Sequence, residues 1–135
     1  MGDAGAETLP IRSAHDVVRI RQAVRRRAAA LGFGLVDQTK MITAASELAR
    51  NALDHGGGGD LHMEVVDDGA RQGLRLTFAD QGPGIASLDT ALRDGYSTGG
   101  GLGLGLSGAR RLVHRLDIDS APGRGTRVTI LRWTS

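Results

Sequence analysis

The spacing of the apolar residues limits the fold of this chain more than any other feature of its sequence. Over the first half of the chain these residues recur every three or four positions, in two runs that Gly32-Phe33-Gly34 separates. Such spacing places them on one face of an α-helix. We therefore expect one helix over about 14–31 with Ser13 as its N-cap, and a second over about 36–55 that Gly56 to Gly59 ends.

The rest of the chain predicts mostly strands. Apolar and polar residues alternate in two runs on either side of Asp67-Asp68-Gly69, which indicates two strands joined by a turn. The remaining elements are expected as an edge strand at 8–12, a third helix over about 104–116, and strands near 117–121 and 126–133. This order predicts an α/β fold, a two-layer α/β sandwich whose mixed, mostly antiparallel sheet is covered on one face by helices. The length suits one domain, 1–135.

The composition excludes several classes of protein. There is no cysteine, so disulfides and thiolate metal sites are excluded, and a cytoplasmic location is expected. The first residues lack the apolar segment of a signal peptide, and no run approaches the roughly 18 apolar residues of a membrane span. The formal net charge is only +2 and aromatic residues are few, so the basic surface and stacking platform of a nucleic-acid-binding protein are missing. We expect neither a membrane nor a nucleic-acid partner.

Glu47 and Asn51 lie four residues apart on the second predicted helix and therefore share a face. They lie beside its apolar row, so we expect both to border the core. An amide oxygen can coordinate Mg²⁺, and a carboxylate one turn earlier can act as a base on a nucleophile near that metal. Such a pair is more common as two solvated helix residues, so by itself it predicts little.

Asp80 is in phase with the apolar residues of the preceding strand, so its carboxylate should point toward the core side of the sheet. A carboxylate in that position needs a donor, and the exocyclic amine of adenine would supply one. Gly82 and Gly84 would then allow the backbone to approach a flat base. The alternative is an aspartate that begins a Pro-Gly turn and accepts backbone N–H groups. The residues themselves leave both interpretations open.

Residues 99–106, Gly-Gly-Gly-Leu-Gly-Leu-Gly-Leu, run directly into the third predicted helix. A glycine loop before a helix presents backbone N–H groups to phosphates. Lys40 is the only lysine, so this is not a Walker P-loop, and no strand precedes the glycines as a dinucleotide-binding fold requires. A protein-kinase glycine loop would need a much larger catalytic lobe. A purely structural turn would order many glycines without a ligand. Thr126 points inward on the last predicted strand, where a β-branched residue is ordinary.

Taken in order, these four features resemble the GHKL (Bergerat-fold) ATPases, which include gyrase, heat-shock protein 90, histidine kinases and MutL. The N box of that superfamily resembles Ser46–Ala52, and its two glycine boxes resemble Asp80–Gly84 and Gly99–Leu106. Its closing Gly-Thr pair resembles Gly125-Thr126. The resemblance implies the Bergerat ATP-binding fold over about residues 36–132.

Within this superfamily the chain resembles the short anti-sigma-factor-type serine/threonine kinases most, and among them the stressosome switch kinases. The residues that support this are Leu31-Gly32-Phe33-Gly34, Val36-Asp37-Gln38, Asp94–Thr98 and Trp133. Ala52–Gly56 instead resembles the helices of the wider anti-sigma factors and histidine kinases.

The resemblance implies a role for each matching residue. Asn51 would hold Mg²⁺, Glu47 would be the general base, and Asp80 would bind the adenine amine of ATP. Thr126 would support the adenine-binding network. The backbone beside the base would be that of Gly82, Gly84 and Ile85, and the residues around the phosphates would be Gly99, Gly100, Gly101, Leu102, Gly103, Leu104 and Gly105.

The resemblance also implies a function. The chain would transfer the γ-phosphate of Mg·ATP to a Ser or Thr of a STAS-domain protein in general stress or sigma-factor control. It would then engage a second regulatory partner, a switch phosphatase or a sigma factor, and a homodimer is compatible with this. The alternative is an anti-sigma factor that acts mainly by sequestering a sigma factor. A histidine-kinase catalytic domain is disfavoured, because the sequence predicts no helical hairpin with a phosphoacceptor histidine.

Overall fold

The computed structural model describes residues 6–82 and 106–134 of the chain. The elements of these ranges are, in order, β1 (Ala6–Ile11), α1 (Ala14–Ala30), α2 (Leu35–Asp54), β2 (Gly59–Asp67), β3 (Gln72–Asp80), α3 (Leu106–Leu112), β4 (Arg115–Ser120) and β5 (Thr126–Trp133).

The strands form one five-stranded sheet in the order β1-β2-β3-β5-β4. Every neighbouring pair is antiparallel, so the sheet that was expected to be mixed and mostly antiparallel contains no parallel pair in the described ranges. β1 lies at one edge, where Pro10 is tolerated because an edge strand does not need every N–H. The prediction of an α/β sandwich is confirmed.

Apolar side chains at alternate positions of β2, β3 and β5 form the sheet side of the core. The register places Leu61 opposite Phe78 and Phe78 opposite Val128, so one apolar row crosses three strands. The helices close the core with residues that share a face of α1 or α2: Val17, Ile20, Ala23, Val24, Ala28, Met41, Ile42, Ala44, Ala45, Leu48, Ala49 and Ala52. The opposite face of the sheet is polar, where Thr129 donates to Thr77 across the strands. The helices of the described ranges therefore cover one face of the sheet.

The two long helices begin and end where the sequence predicts. Ser13 caps α1, accepting the Asp16 N–H at 3.4 Å, while the Asp16 carboxylate accepts the Arg12 N–H at 2.8 Å. At the end of α2 the chain turns on Gly57 and Gly58, whose φ angles are +73° and +107°. Glycine adopts this region without strain. The turn directs the chain from the end of α2 into β2, beside β3.

The predicted end of the third helix was wrong. α3 ends at Leu112, and Leu116, which was expected on its buried face, lies on β4. The His114 N–H donates to the Leu131 carbonyl of β5 at 3.0 Å, and Arg115 pairs with Leu131. Strand pairing therefore replaces the helix after Leu112. The predicted first residues of this helix, 104 and 105, lie outside the described ranges.

In the part of the chain that the structure describes, none of the helices is long and apolar enough to span a membrane.

Candidate functional site

One end of the sheet brings together polar residues from three strands. The register pairs Asp80 of β3 with Thr126 of β5, and Thr126 with Ser120 of β4. All three residues are half-buried. Each is in phase with the core residues of its strand, so their side chains lie on the helix-covered side of the sheet. The predicted orientation of Asp80 and Thr126 agrees with this arrangement.

Glycine backbone packs against Asp80, with Gly56 and Gly82 beside its side chain and Gly125 beside its main chain. A Cβ on Gly56, just beyond α2, would overlap Asp80 Cγ and lie 2.7 Å from its Oδ1. A Cβ on Gly82 would lie 2.5 Å from Gly56 Cα. A Cβ on Gly125 would overlap the Asp80 carbonyl oxygen, and the φ of Gly125 is +77°. These three positions therefore require glycine for the backbone to approach Asp80 so closely.

Asp80 also begins a turn. The Gly82 N–H donates to Asp80 Oδ1 at 2.9 Å, which is the contact that the turn interpretation predicts. A carboxylate can accept about four hydrogen bonds through its two oxygens, so this contact leaves capacity for a ligand donor. The two interpretations of Asp80 are therefore compatible.

A pocket of about 190 Å³ opens beside this row of residues. Its described lining comes from the ends of β3, β4 and β5 and from the turn between β4 and β5, and it includes Asp80, Ser120 and Thr126. Ser120 was not among the residues that the sequence analysis selected. The alternation of Leu116, Ile118 and Ser120 with two aspartates places Ser120 on the same side as Thr126 and could have identified it.

Glu47 and Asn51 lie one turn apart on α2, as predicted. Asn51 is half-buried at the edge of the core, but Glu47 is exposed, so the expectation that both border the core was wrong for Glu47. The neighbouring Leu48 and Ala49 take the core-facing positions, which leaves Glu47 turned outward.

Glu47 and Asn51 lie on the last turns of α2, and the chain just beyond this helix contacts Asp80. The His55 N–H donates to the Asn51 carbonyl at 2.9 Å, and Gly56, the next residue, contacts Asp80. At 1.5 Å per residue, the path from Glu47 to Gly56 rises about 13 Å along the helix axis. This span is comparable with the length of an extended nucleoside triphosphate, with its base near Asp80 and its last phosphate near Glu47.

Asn51 has the chemistry of a Mg²⁺ ligand, because Mg²⁺ prefers oxygen donors and commonly binds through few protein groups together with substrate phosphates. Within residues 6–82 and 106–134, no group of three His, Asp or Glu side chains could hold a metal ion. Mg²⁺ at such a site commonly keeps water and phosphate oxygens among its ligands.

The other predicted ligand-binding positions lie outside the described residues. They are Gly84, Ile85, Gly99, Gly100, Gly101, Leu102, Gly103, Leu104 and Gly105. α3 begins at Leu106, directly after this glycine-rich segment. The roles of these residues remain predictions.

Comparison with known proteins finds relatives in sequence and in structure. The serine/threonine-protein kinase RsbT of Bacillus subtilis (strain 168) is 44% identical over 118 residues, which are 87% of this chain and 89% of RsbT. A crystal structure of the RsbU and RsbW domains of a Mycobacterium tuberculosis protein superposes with a TM-score of 0.65 at 21% identity. That match covers 94% of this chain but 32% of the solved chain, and at such identity it shows the fold alone. The family model described as histidine kinase-, DNA gyrase B-, and HSP90-like ATPase matches residues 36–134. The chain belongs to this ATPase family.

Proposed function

We propose that this protein is an ATP-dependent serine/threonine protein kinase that phosphorylates a STAS-domain regulatory protein. The observation that supports it most is that Glu47 and Asn51 lie one turn apart on α2, and that Gly56, just beyond the end of this helix, packs against Asp80. The 44% identity to a serine/threonine-protein kinase over most of the chain supports the same activity.

Asp80 is the base-recognition residue of the proposal. Its carboxylate accepts from Gly82 through Oδ1 and retains acceptor capacity for the exocyclic amine of adenine. A hydrogen bond to an ionised group contributes about 1.5–3 kcal/mol, enough to select a purine with an amine at this position over one with a carbonyl. The close approach of Gly56 to Asp80 Cγ restricts the space in which the carboxylate can move, and this supports the assignment.

Asn51 is the proposed metal ligand. Its half-buried position lies between Glu47 and the Asp80 end of α2, where the phosphates of a bound nucleotide would lie. Bound Mg²⁺ would neutralise the phosphate charge that develops during transfer. The Asn51 side-chain oxygen would hold the cation beside α2, so nucleotide and metal would bind together.

Glu47 is the proposed general base. The Ser or Thr oxygen of the protein substrate attacks the γ-phosphorus, the bond from that phosphorus to the bridging oxygen breaks, and ADP leaves. The hydroxyl proton passes to the Glu47 carboxylate. The exposure of Glu47 suits this role, because the hydroxyl arrives on the surface of another protein. A base in this position contributes on the order of 10²–10⁴-fold to the rate.

The proposal includes a change of partner. After transfer the phosphorylated STAS-domain protein is released, and the kinase engages a second regulatory protein, a switch phosphatase or a sigma factor. The regulated process is general stress or sigma-factor control, and the reaction takes place in the cytoplasm.

The proposal is tested by incubating the purified protein with Mg·ATP labelled in the γ-phosphate and a STAS-domain protein from the same organism. Mass spectrometry should locate the label on a Ser or Thr of that protein, and GTP should replace ATP poorly. Tight binding to a sigma factor without any phosphate transfer would contradict the kinase proposal and favour an anti-sigma binding module.

A further inference from the structure

The hydroxyl groups of Ser120 and Thr126 lie at the end of the sheet, and their hydrogen-bond partners indicate where each proton points. Ser120 Oγ lies 2.9 Å from the Gly125 carbonyl oxygen. A carbonyl can only accept, so Ser120 donates its single proton there. Ser120 Oγ also lies 2.9 Å from Thr126 Oγ1. Because the Gly125 carbonyl takes the Ser120 proton, we assign Thr126 as the donor in this second bond. The Thr126 proton then points to Ser120 on β4, and the lone pairs of the Thr126 oxygen are left to accept hydrogen bonds.

We propose that Ser120 is a positioning residue that sets the base specificity of the nucleotide site by holding the Thr126 hydroxyl as an acceptor. Asp80 and Thr126 are register partners on the same side of the sheet, and the carboxylate of Asp80 is also an acceptor. The pair then presents acceptors only. The exocyclic amine of adenine carries two donors and matches this pair, whereas the 6-carbonyl of hypoxanthine or guanine opposes it. This inference rests on the proposed function, since it requires that ATP binds here.

The acceptor of the Ser120 proton is fixed relative to Asp80. Gly125 is buried, has a φ of +77°, and packs so closely on the Asp80 carbonyl that a side chain would overlap it. The turn before it is closed by the Arg124 N–H, which donates to the Ala121 carbonyl at 3.0 Å. The chain of bonds from Gly125 through Ser120 to Thr126 is therefore anchored to the strand that carries Asp80.

The same three residues, Asp80, Ser120 and Thr126, are part of the lining of the pocket at this end of the sheet, which also includes Arg124 and Arg127. Since both hydroxyl protons are used within the protein, the row has no hydroxyl proton to donate to the ligand. A ligand carbonyl that faces Asp80 and Thr126 therefore receives no hydrogen bond from their side chains.

The test compares Ser120→Val with Ser120→Thr, two β-branched side chains of nearly equal shape that both suit a strand and differ in the hydroxyl. Calorimetry measures the Kd of ATP, inosine triphosphate and purine riboside triphosphate, which carry an amine, a carbonyl and a hydrogen at the same ring position. Ser120→Thr should keep the wild-type preference for ATP over inosine triphosphate. Ser120→Val frees the Thr126 proton and should reduce that preference about 3- to 10-fold, the effect of one uncharged hydrogen bond. Its affinity for purine riboside triphosphate should change less than the affinity for ATP.

Two results would overturn the inference while the wild type still binds ATP selectively. The first is that Ser120→Val keeps the wild-type preference for ATP over inosine triphosphate. The second is that Ser120→Val loses affinity for all three nucleotides equally, which a merely structural role predicts. In a Thr126→Val background, Ser120→Val should have no further effect on the preference, and an undiminished effect would contradict the role of Thr126. Ser120→Ala replaces the valine variant if circular dichroism shows that it does not fold. A wild type that binds no ATP would refute the proposed function itself, whatever residue occupies position 120.

Discussion

A methyl group on Gly56 should displace the Asp80 side chain and weaken ATP binding without unfolding the protein. The new Cβ of Gly56→Ala would overlap Asp80 Cγ and lie 2.5 Å from Asp80 Cβ, although real Cβ contacts are almost never under 3.0 Å. Rotation about χ1 would move Asp80 Cγ but not Cβ, which is bonded to the backbone of a paired strand. The carboxylate must therefore take another rotamer, and the backbone of the turn at Gly56 must shift as well. Gly56 is not among the glycines with positive φ, so its backbone conformation tolerates alanine.

The expected loss follows from the contact that Asp80 would no longer make. A hydrogen bond between the carboxylate and the adenine amine is worth about 1.5–3 kcal/mol, which corresponds to roughly 10- to 150-fold weaker binding. Local overpacking should also lower the free energy of unfolding by about 1–3 kcal/mol. The protein should remain folded if its stability is in the usual range of about 5–15 kcal/mol.

Calorimetric titration with Mg·ATP, together with urea denaturation of the same samples, measures both effects. Gly108→Ala is the matched control, because a Cβ at this α3 position meets no atom within 4 Å. It should bind ATP like the wild type and gain about 0.5–1 kcal/mol in stability, since alanine favours helix over glycine. A folded Gly56→Ala variant with wild-type ATP affinity would refute the assignment of Asp80 to the base.

The remaining predictions concern the metal and pH. Asn51→Ala should lower the affinity for Mg·ATP, and EDTA should weaken ATP binding to the wild type; an ATP affinity unchanged by EDTA would contradict the metal role of Asn51. The Trp133 N–H donates to His114 Nδ1 at 2.8 Å, and burial, followed by the charge of Arg132, lowers the pKa of His114 below its ordinary 6.5. As pH falls, the His114 imidazole is therefore protonated in the unfolded chain before it is protonated in the folded protein. His114 thus contributes stability above pH 6.5, and this contribution is lost as pH falls through its pKa in the folded protein. Urea denaturation at neutral and mildly acidic pH measures the free energy of unfolding. Between these pH values His114→Asn should lose less of it than the wild type, and an equal loss in both proteins would contradict this reasoning.

The sequence predicted the elements whose signals are local. The period of the apolar residues located α1 and α2, and the glycines from Gly56 onward marked the end of α2. The end of α3 was missed because Val113 and Leu116 fit helical spacing, while Leu116 and Ile118 also fit strand alternation. Pairing with β5 decides between the two, and a contact between distant segments is not visible in local spacing.

The candidate site was predictable in its parts but not in its assembly. Strand phase oriented Asp80 and Thr126, yet their pairing depends on the strand order, which places β5 between β3 and β4. Ser120 was missed for the same reason, since its importance comes from its partner across β4 and β5. Glu47 was misplaced because a residue beside the apolar row can face either the core edge or solvent, and packing of the neighbouring helices decides which.

The central claim, that Glu47 is the base of a protein kinase, is tested most directly by single-turnover transfer from γ-labelled Mg·ATP to a STAS-domain protein. Glu47→Gln preserves the size of the side chain and removes its basicity. Asp54→Asn is the control, because it removes another exposed carboxylate from the same helix. Glu47→Gln should bind ATP nearly normally and transfer phosphate about 10²–10⁴-fold more slowly, whereas Asp54→Asn should transfer phosphate like the wild type. Wild-type transfer by Glu47→Gln would contradict the mechanism.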